Sequence, residues 1–218
     1  LLSGALEGLK EIQKATVDMD ALIFVGLPME KVGKLYNVAA AIFKGEVLGI
    51  VPKRFIPTYH EAYEGRHFAE GNEQAEEIMY NGTKVPFGTD ILFEVQEGVL
   101  KGLSVACEIC EDLWVPMSPS VRHSMAGANV IVNLSASSES VGKDHYRHLQ
   151  VTAASTKMIA GYIYCSAGEG ESTQDLVFGG HNMICENGKM LAESKKFTGS
   201  TIYADLDINR LRHERRKM

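Results

Sequence analysis

Residues 102–114 read Gly102-Leu103-Ser104-Val105-Ala106-Cys107-Glu108-Ile109-Cys110-Glu111-Asp112-Leu113-Trp114. A short apolar run with the character of a buried strand ends in a cysteine, two acids and an indole. Just downstream, Ser118-Pro119 pairs an N-cap residue with a proline at the first helical position, and predicts a short helix to about Ala126. ANVIVNL at 128–134 is a second buried strand, 143–160 a long helix and 162–166 the strand that follows it. Strands alternating with helices predict an α/β protein.

The rest of the chain adds hairpins to that unit. Leu2, Leu6, Leu9 and Ile12 recur at three- and four-residue steps and mark an amphipathic first helix. The run 21–27 (ALIFVGL) has the pattern of a strand buried on both faces. Residues 36–43 and 47–51 flank Lys44-Gly45-Glu46, a hairpin. From 52 to 90 the pattern dissolves into a long loop rich in Gly, Glu and aromatics, and loops of that length usually carry function. Strands at 91–95 and 103–109 pair around Gln96-Glu97-Gly98, and Asn187-Gly188 turns a further hairpin. A last strand is expected at 200–206, with Asp207 capping a closing helix. The whole reads as one domain, 1–218, with a mixed sheet.

Composition excludes several classes. The 218 residues carry 22 Lys+Arg against 28 Asp+Glu, a formal charge of −6, with 45% hydrophobic and 23% charged residues. Disorder, collagen and coiled coil do not fit those values. The acidic balance argues against nucleic acid or an anionic membrane as partner. No apolar run approaches the roughly 18 residues of a membrane span. Four cysteines, at 107, 110, 165 and 185, are too few for a disulfide scaffold. The opening LLSGALEGLKEIQKAT has no Met, basic start or cleavage site, so a fragment of a longer cytoplasmic chain is expected.

Three stretches are able to carry chemistry. A nucleophile on the sharp turn after a strand is held clear of the sheet, and the backbone N–H just beyond it can face a developing oxyanion; Cys110 fits that place. Taken alone, Cys110 also fits a buried small hydrophobe. Cys107 and Cys110 spell C-x-x-C, but the first cysteine lies inside a strand pattern, and Cys165 and Cys185 lack the spacing of further zinc ligands. The second stretch, VPKRFIPTYHEAYEGRHF at 51–68, sets Lys53 at the end of a strand. Its ammonium suits a fixed electrostatic donor, or equally a solvated strand end. The third, NLSASSESVGK at 133–143, is a polar loop at a strand's C-terminal end, where α/β folds place ligands and where helix-capping loops also occur. His145 and His148 lie three apart on a helix with no third ligand in reach, so no metal site is expected.

In that order and spacing, VPKRFIPTYHEAYEGRHF, CEICEDLW and NLSASSESVGK resemble the nitrilase (carbon–nitrogen hydrolase) superfamily. P-T-Y-x-E-x-Y-E and N-L-S-A-S…G-K are similar to its glutamine-hydrolysing branch, the glutaminase domain of glutamine-dependent NAD synthetases. QDLVFGGHNMI and the closing ADLDINRLRHERR extend the resemblance along essentially the whole chain.

The resemblance implies a nitrilase-type α-β-β-α sandwich with mixed β-sheets, truncated at its N-terminus. It makes Cys110 the nucleophile on the glutamine amide, with Lys53 and the backbone N–H of Glu111 stabilising the oxyanion. Tyr59, Glu64, Trp114 and Ser137 would line the glutamine pocket, Glu64 either on the substrate ammonium or as a partner of Lys53. The family's general-base glutamate belongs to an F-P-E…T-G-Y segment ahead of the first helix. Ammonia would pass to a C-terminal synthetase domain, where ATP and Mg are expected; this domain itself needs no cofactor, and a homo-oligomer is expected. Rival readings are a stand-alone amidase of the superfamily and a non-catalytic interaction domain of the same fold.

Overall fold

The computed structural model describes residues 1–60, 62–171 and 175–217. Its contacts group into two compact units, Leu1–Ile91 and Leu92–Met218.

The first unit begins with helix α1 (Leu2–Ala15), followed by β1 (Leu22–Lys31), β2 (Lys34–Phe43) and β3 (Glu46–Pro52). β4 (Glu76–Tyr80) and β5 (Thr83–Phe87) complete a five-stranded sheet of order β1-β2-β3-β5-β4. The sheet is mixed: β3 and β5 run parallel and the other pairs antiparallel. The apolar stripe of α1, with Ala5, Leu6, Leu9 and Ile12, covers Val38, Ala40, Ile42 and Ile50 of the sheet. Gln13 pins the helix end, its amide donating to the Gly45 carbonyl (2.8 Å) and accepting from the Tyr80 hydroxyl (2.9 Å).

Two expectations change in this unit. The run at 21–27 lies on an edge strand of that sheet and is only half-buried, whereas β2 is the strand buried along most of its length. Its Leu, Ile, Phe and Val sit on both sides of the ribbon, so continuous apolarity misstates how much of each is covered. The long loop from 52 to 90 contains the hairpin of β4 and β5, turned by Asn81-Gly82 with both φ angles positive (46° and 81°). That dipeptide is a strong hairpin signal, and its flanks, exposed on β4 and cut by Pro86 on β5, mask the alternation.

The second unit holds a six-stranded mixed sheet of order β11-β10-β9-β8-β7-β6. Its strands are β6 (Phe93–Glu94), β7 (Ser104–Ile109), β8 (Val130–Ser135), β9 (Gly161–Ser166), β10 (Met183–Glu186) and β11 (Lys189–Glu193). β7, β8 and β9 are parallel, and the outer pairs are antiparallel. Helices α2 (Pro119–Met125) and α3 (Lys143–Met158) make the crossovers, and Val151, Ala154 and Met158 of α3 pack on Ile131, Tyr162 and Met183. Asn187-Gly188 turns the β10–β11 hairpin as expected; a Cβ on Gly188, at φ +81°, would stand 2.1 Å from Thr156 Oγ1.

No strand forms over 200–206. Exposure alternates there, but the segment is held by single bonds, Asn182 Nδ2 to the Ser200 carbonyl (3.3 Å) and the Asp207 N–H to Glu186 Oε2 (2.6 Å). Alternation reports a covered face, not a ladder partner. Helix α4 (Ile208–Arg215) then starts where expected, with Asp207 Oδ1 accepting from the Arg210 N–H at 2.9 Å. Among the described residues no helix is long and apolar enough to cross a membrane.

Candidate active site

Strand β7 ends at Ile109, and the chain turns at once into a single 3₁₀ turn, Cys110–Leu113. Cys110 makes that corner with φ at +48°. A side chain with a Cβ rarely adopts that region, and residues held there cluster at active sites. Asp112, fully buried, stabilises the corner by accepting the Ile109 N–H on Oδ2 at 2.9 Å. Glu111 is the second residue of the 3₁₀ turn, and Trp114 caps its end, donating its N–H to the Glu111 carbonyl at 2.8 Å. Cys110, Glu111 and Trp114 thus occupy one turn.

The two cysteines of C-x-x-C are not equivalent. Cys107 is buried inside β7, and burial, reinforced by the charges of Glu108, Asp112 and Cys165, pushes its thiol well up. Cys110 is partly accessible. Among the described residues no group of three or more His, Cys, Asp or Glu side chains is arranged to hold a metal.

Ser137 lies in the loop after β8 and is buried. That loop is fixed by a backbone bridge between Ser138 and Phe178 and by the wholly buried Arg147 of α3. Arg147 donates to Ser137 Oγ (3.3 Å), the Ser138 carbonyl (3.4 Å) and Glu139 Oε2 (3.2 Å), and its Nη1 meets His181 Nδ1 at 3.0 Å. Since guanidinium only donates, Nδ1 of His181 accepts, and its Nε2–H donates to Glu193 Oε1 at 2.7 Å. Tyr164 of β9 sits in the same neighbourhood: burial, with Cys110 adding to it, pushes its phenol up to about 12 against the opposing effects of Ser135, Arg147 and Ser137. The Trp114 ring packs tilted on Tyr146 of α3, with centroids 5.5 Å apart.

The remaining candidates belong to the first unit. Lys53 follows β3, and its ammonium is completely buried, not solvated at a strand end. Both Glu64 oxygens accept from it, at 2.7 and 2.8 Å. Of the two roles open to Glu64, this geometry is that of a partner to Lys53. Tyr59 is exposed, with its ring edge-on to His60 at 5.6 Å. Glu61 of the P-T-Y-x-E-x-Y-E segment, and Gln174 at the head of QDLVFGGHNMI, lie outside the described residues.

Sequence reasoning missed Glu108, Asn133, Arg147, Tyr162 and Tyr164. Glu108 and Asn133 carried a signal: each is a polar residue inside an otherwise apolar strand, a position that demands a buried partner. His148 also takes part, its Nδ1 meeting Glu193 Oε1 at 3.1 Å. Arg215 of α4 donates to the carbonyls of Met158 (2.8 Å) and Ile159 (3.0 Å), closing the C-terminus of α3.

The chain is 42% identical over 220 residues to the glutamine-dependent NAD(+) synthetase of Mycobacterium tuberculosis, and 32% identical over 217 residues to that of Aquifex aeolicus. These alignments cover 100% and 95% of the chain but 32% and 34% of the relatives, so it spans about a third of their length. Among solved structures, the glutamine-dependent NAD(+) synthetase of Cytophaga hutchinsonii matches with a TM-score of 0.77 at 28% identity, covering 89% of this chain and 30% of that one. A carbon-nitrogen hydrolase from Helicobacter pylori shares the fold, with a TM-score of 0.75 at 17% identity over 99% of this chain and 72% of its own. The expected nitrilase-type α/β fold with mixed sheets is therefore the observed one. With the carbon-nitrogen hydrolase profile matching residues 3–216, the chain belongs to the carbon-nitrogen hydrolase family.

Proposed function

We propose that this chain is a cysteine glutaminase that splits L-glutamine into glutamate and ammonia. The observation that carries the reading is Cys110 at φ +48° on the corner after β7, in a chain 42% identical to glutamine-dependent NAD(+) synthetases. The Cys110 thiolate adds to the side-chain amide carbon, giving a tetrahedral oxyanion. Collapse breaks the C–N bond, and the leaving nitrogen takes up a proton and departs as ammonia. Water then hydrolyses the γ-glutamyl thioester and regenerates the thiol.

In this reading the backbone N–H of Glu111 and the Lys53 ammonium stabilise the oxyanion. Losing one such donor typically costs about 3–4 kcal/mol of barrier. Glu64 fixes Lys53, while Tyr59, Trp114 and Ser137 belong to the glutamine pocket. Proton transfer falls to a glutamate that the family resemblance places ahead of α1. The ammonia serves ATP-dependent amidation of deamido-NAD in a synthetase portion, which supplies the ATP and Mg chemistry, within a homo-oligomer. A stand-alone amidase of the same superfamily is the rival reading.

The test is glutamine turnover by the full-length protein, with labelling by a glutamine-analogue electrophile. The adduct is expected on Cys110, with glutamine protecting. An adduct on Cys107, or no ammonia from glutamine while other small amides are cleaved, overturns the reading.

A further inference from the structure

We infer that Asn133 is a positioning residue for the nucleophile, and that Glu108, acting through Tyr162, fixes which end of the Asn133 amide meets Cys110. The inference rests on Cys110 being the reacting thiol.

Glu108 of β7, Asn133 of β8 and Tyr164 of β9 form one row across the parallel strands, and Tyr162 stands one pair earlier on the same face. Glu108, Asn133 and Tyr162 are each buried. The row lies one residue before the end of β7, just beneath the corner that Cys110 turns. Asn133 Oδ1 accepts the Cys110 N–H at 3.3 Å and the Ser135 hydroxyl at 2.7 Å. Asn133 Nδ2 donates to the Tyr162 oxygen at 3.2 Å. The Tyr162 hydroxyl donates to Glu108 Oε1, and Glu108 Oε2 accepts the Ser120 N–H of α2 at 3.0 Å.

The direction of every bond follows from the carboxylate. Glu108 accepts the Tyr162 hydroxyl on Oε1 and the Ser120 N–H on Oε2, so the phenol's one proton is committed to it. The phenol then has only lone pairs to offer Asn133, so the NH₂ end of the amide faces Tyr162. The carbonyl end is left for Cys110 and Ser135. A turned-over amide would set NH₂ against the Cys110 N–H, donor against donor. The chain therefore holds the nucleophile's own peptide in its left-handed conformation, in concert with Asp112 on the preceding N–H. It does so with a neutral group, which brings no negative charge of its own to the thiol, where one would oppose thiolate formation.

The full-length protein carrying Tyr162→Phe keeps the buried ring but frees the amide to turn over. Asn133→Asp keeps an acceptor for Cys110 but adds a charge and removes the donor to Tyr162. Two rates are measured at neutral pH: alkylation of Cys110 by iodoacetamide, followed on its peptide by mass spectrometry, and steady-state glutamine hydrolysis. Both variants are expected to slow alkylation and lower kcat, by roughly 10-fold for Tyr162→Phe and up to 100-fold for Asn133→Asp, with KM within about twofold. Circular dichroism and the melting temperature establish that each is folded; if Asn133→Asp is not, the conservative Tyr162→Phe decides. A folded Tyr162→Phe that alkylates Cys110 and turns over at parental kcat, or changes KM alone, overturns the inference while leaving the glutaminase reading intact. Slowed alkylation in variants of a protein that releases no ammonia from glutamine does the reverse.

Discussion

Glu64 chelates the ammonium of Lys53, with its two carboxylate oxygens 2.7 and 2.8 Å from a nitrogen that has no exposed surface. Breaking a buried pair by removing one partner typically costs about 3–5 kcal/mol, because the other charge is stranded. Glu64 is itself about a third exposed, which moderates that figure. Glu64→Gln is therefore expected to lower the melting temperature and to cut kcat for glutamine by about 10- to 100-fold, as the Lys53 ammonium loses its fixed position. Steady-state kinetics check the split: a rise confined to KM would place Glu64 on the substrate ammonium instead.

Arg215 gives a stability test far from this chemistry. Its guanidinium donates to the last carbonyls of α3 and approaches those of Ser124 and Gly127 at the end of α2, both at 3.5 Å. Hydrogen bonds from a charged group to helix C-terminal carbonyls are worth about 1.5–3 kcal/mol. Arg215→Met keeps the apolar stem and is expected to lose about 2 kcal/mol, a fall of roughly 4–8 °C in a chain of this size. Arg215→Lys restores little, since an ammonium cannot fork across several carbonyls. Thermal unfolding of the two variants side by side checks this.

How far such features were legible in the sequence depends on whether a signal is local. The corner at Cys110, the Asn187-Gly188 hairpin and the Asp207 cap are written in adjacent residues, and all three stand where the sequence puts them. The role of Arg215 was not legible, because its partners are carbonyls 56 to 91 residues away that any side chain would present equally well. The same holds for Arg147, which reads as one more polar residue on a helix until Ser137, Glu139 and His181 converge on it. A strand was expected at 200–206, where exposure does alternate, but alternation is silent about whether a neighbouring strand is there to pair.

Glu193 carries an acid-dependent contribution. Burial alone would raise its carboxyl, but hydrogen bonds from His148 and His181, with the charge of a protonated His148, outweigh burial and hold it below the ordinary carboxylate range. A folded-state value below the unfolded one stabilises above the unfolded pKa of about 4.3, and the contribution is lost as pH falls through the lower folded value. The group is about a third exposed, so screening keeps the contribution under about 1 kcal/mol. Glu193→Gln should lower the melting temperature by roughly 1–3 °C near neutral pH. The difference between variant and parent should shrink as pH falls below about 4.3. A difference that persists undiminished at pH 3 would mean that packing around His181, not ionisation, is what Glu193 supplies.

The nitrogen source separates amide cleavage from the synthesis it feeds. If Cys110 only generates ammonia, then in the full-length protein Cys110→Ala abolishes glutamine-supported NAD formation by at least about 10³-fold, as loss of a covalent nucleophile does. Synthesis from added ammonium salt is expected to stay within about twofold of the parent. Free ammonia already has the lone pair that an activated deamido-NAD requires, whereas a thiolate is needed only to break an amide. Alanine is small and would sit at the partly accessible corner after β7, although φ +48° suits it no better than cysteine, so the fold is checked by its melting temperature. Lys53→Ala should move the same way, and more mildly in kcat than Cys110→Ala, because it removes stabilisation of the oxyanion and not the nucleophile. It also strands the Glu64 carboxylate, so the ammonium-supported rate serves as its internal control for folding. The comparison runs at saturating ATP and deamido-NAD, with ammonium high enough to replace an internally delivered supply. Equal loss from both nitrogen sources in a folded Cys110→Ala protein would show that Cys110 serves more than amide cleavage, and the separate-glutaminase reading would fall.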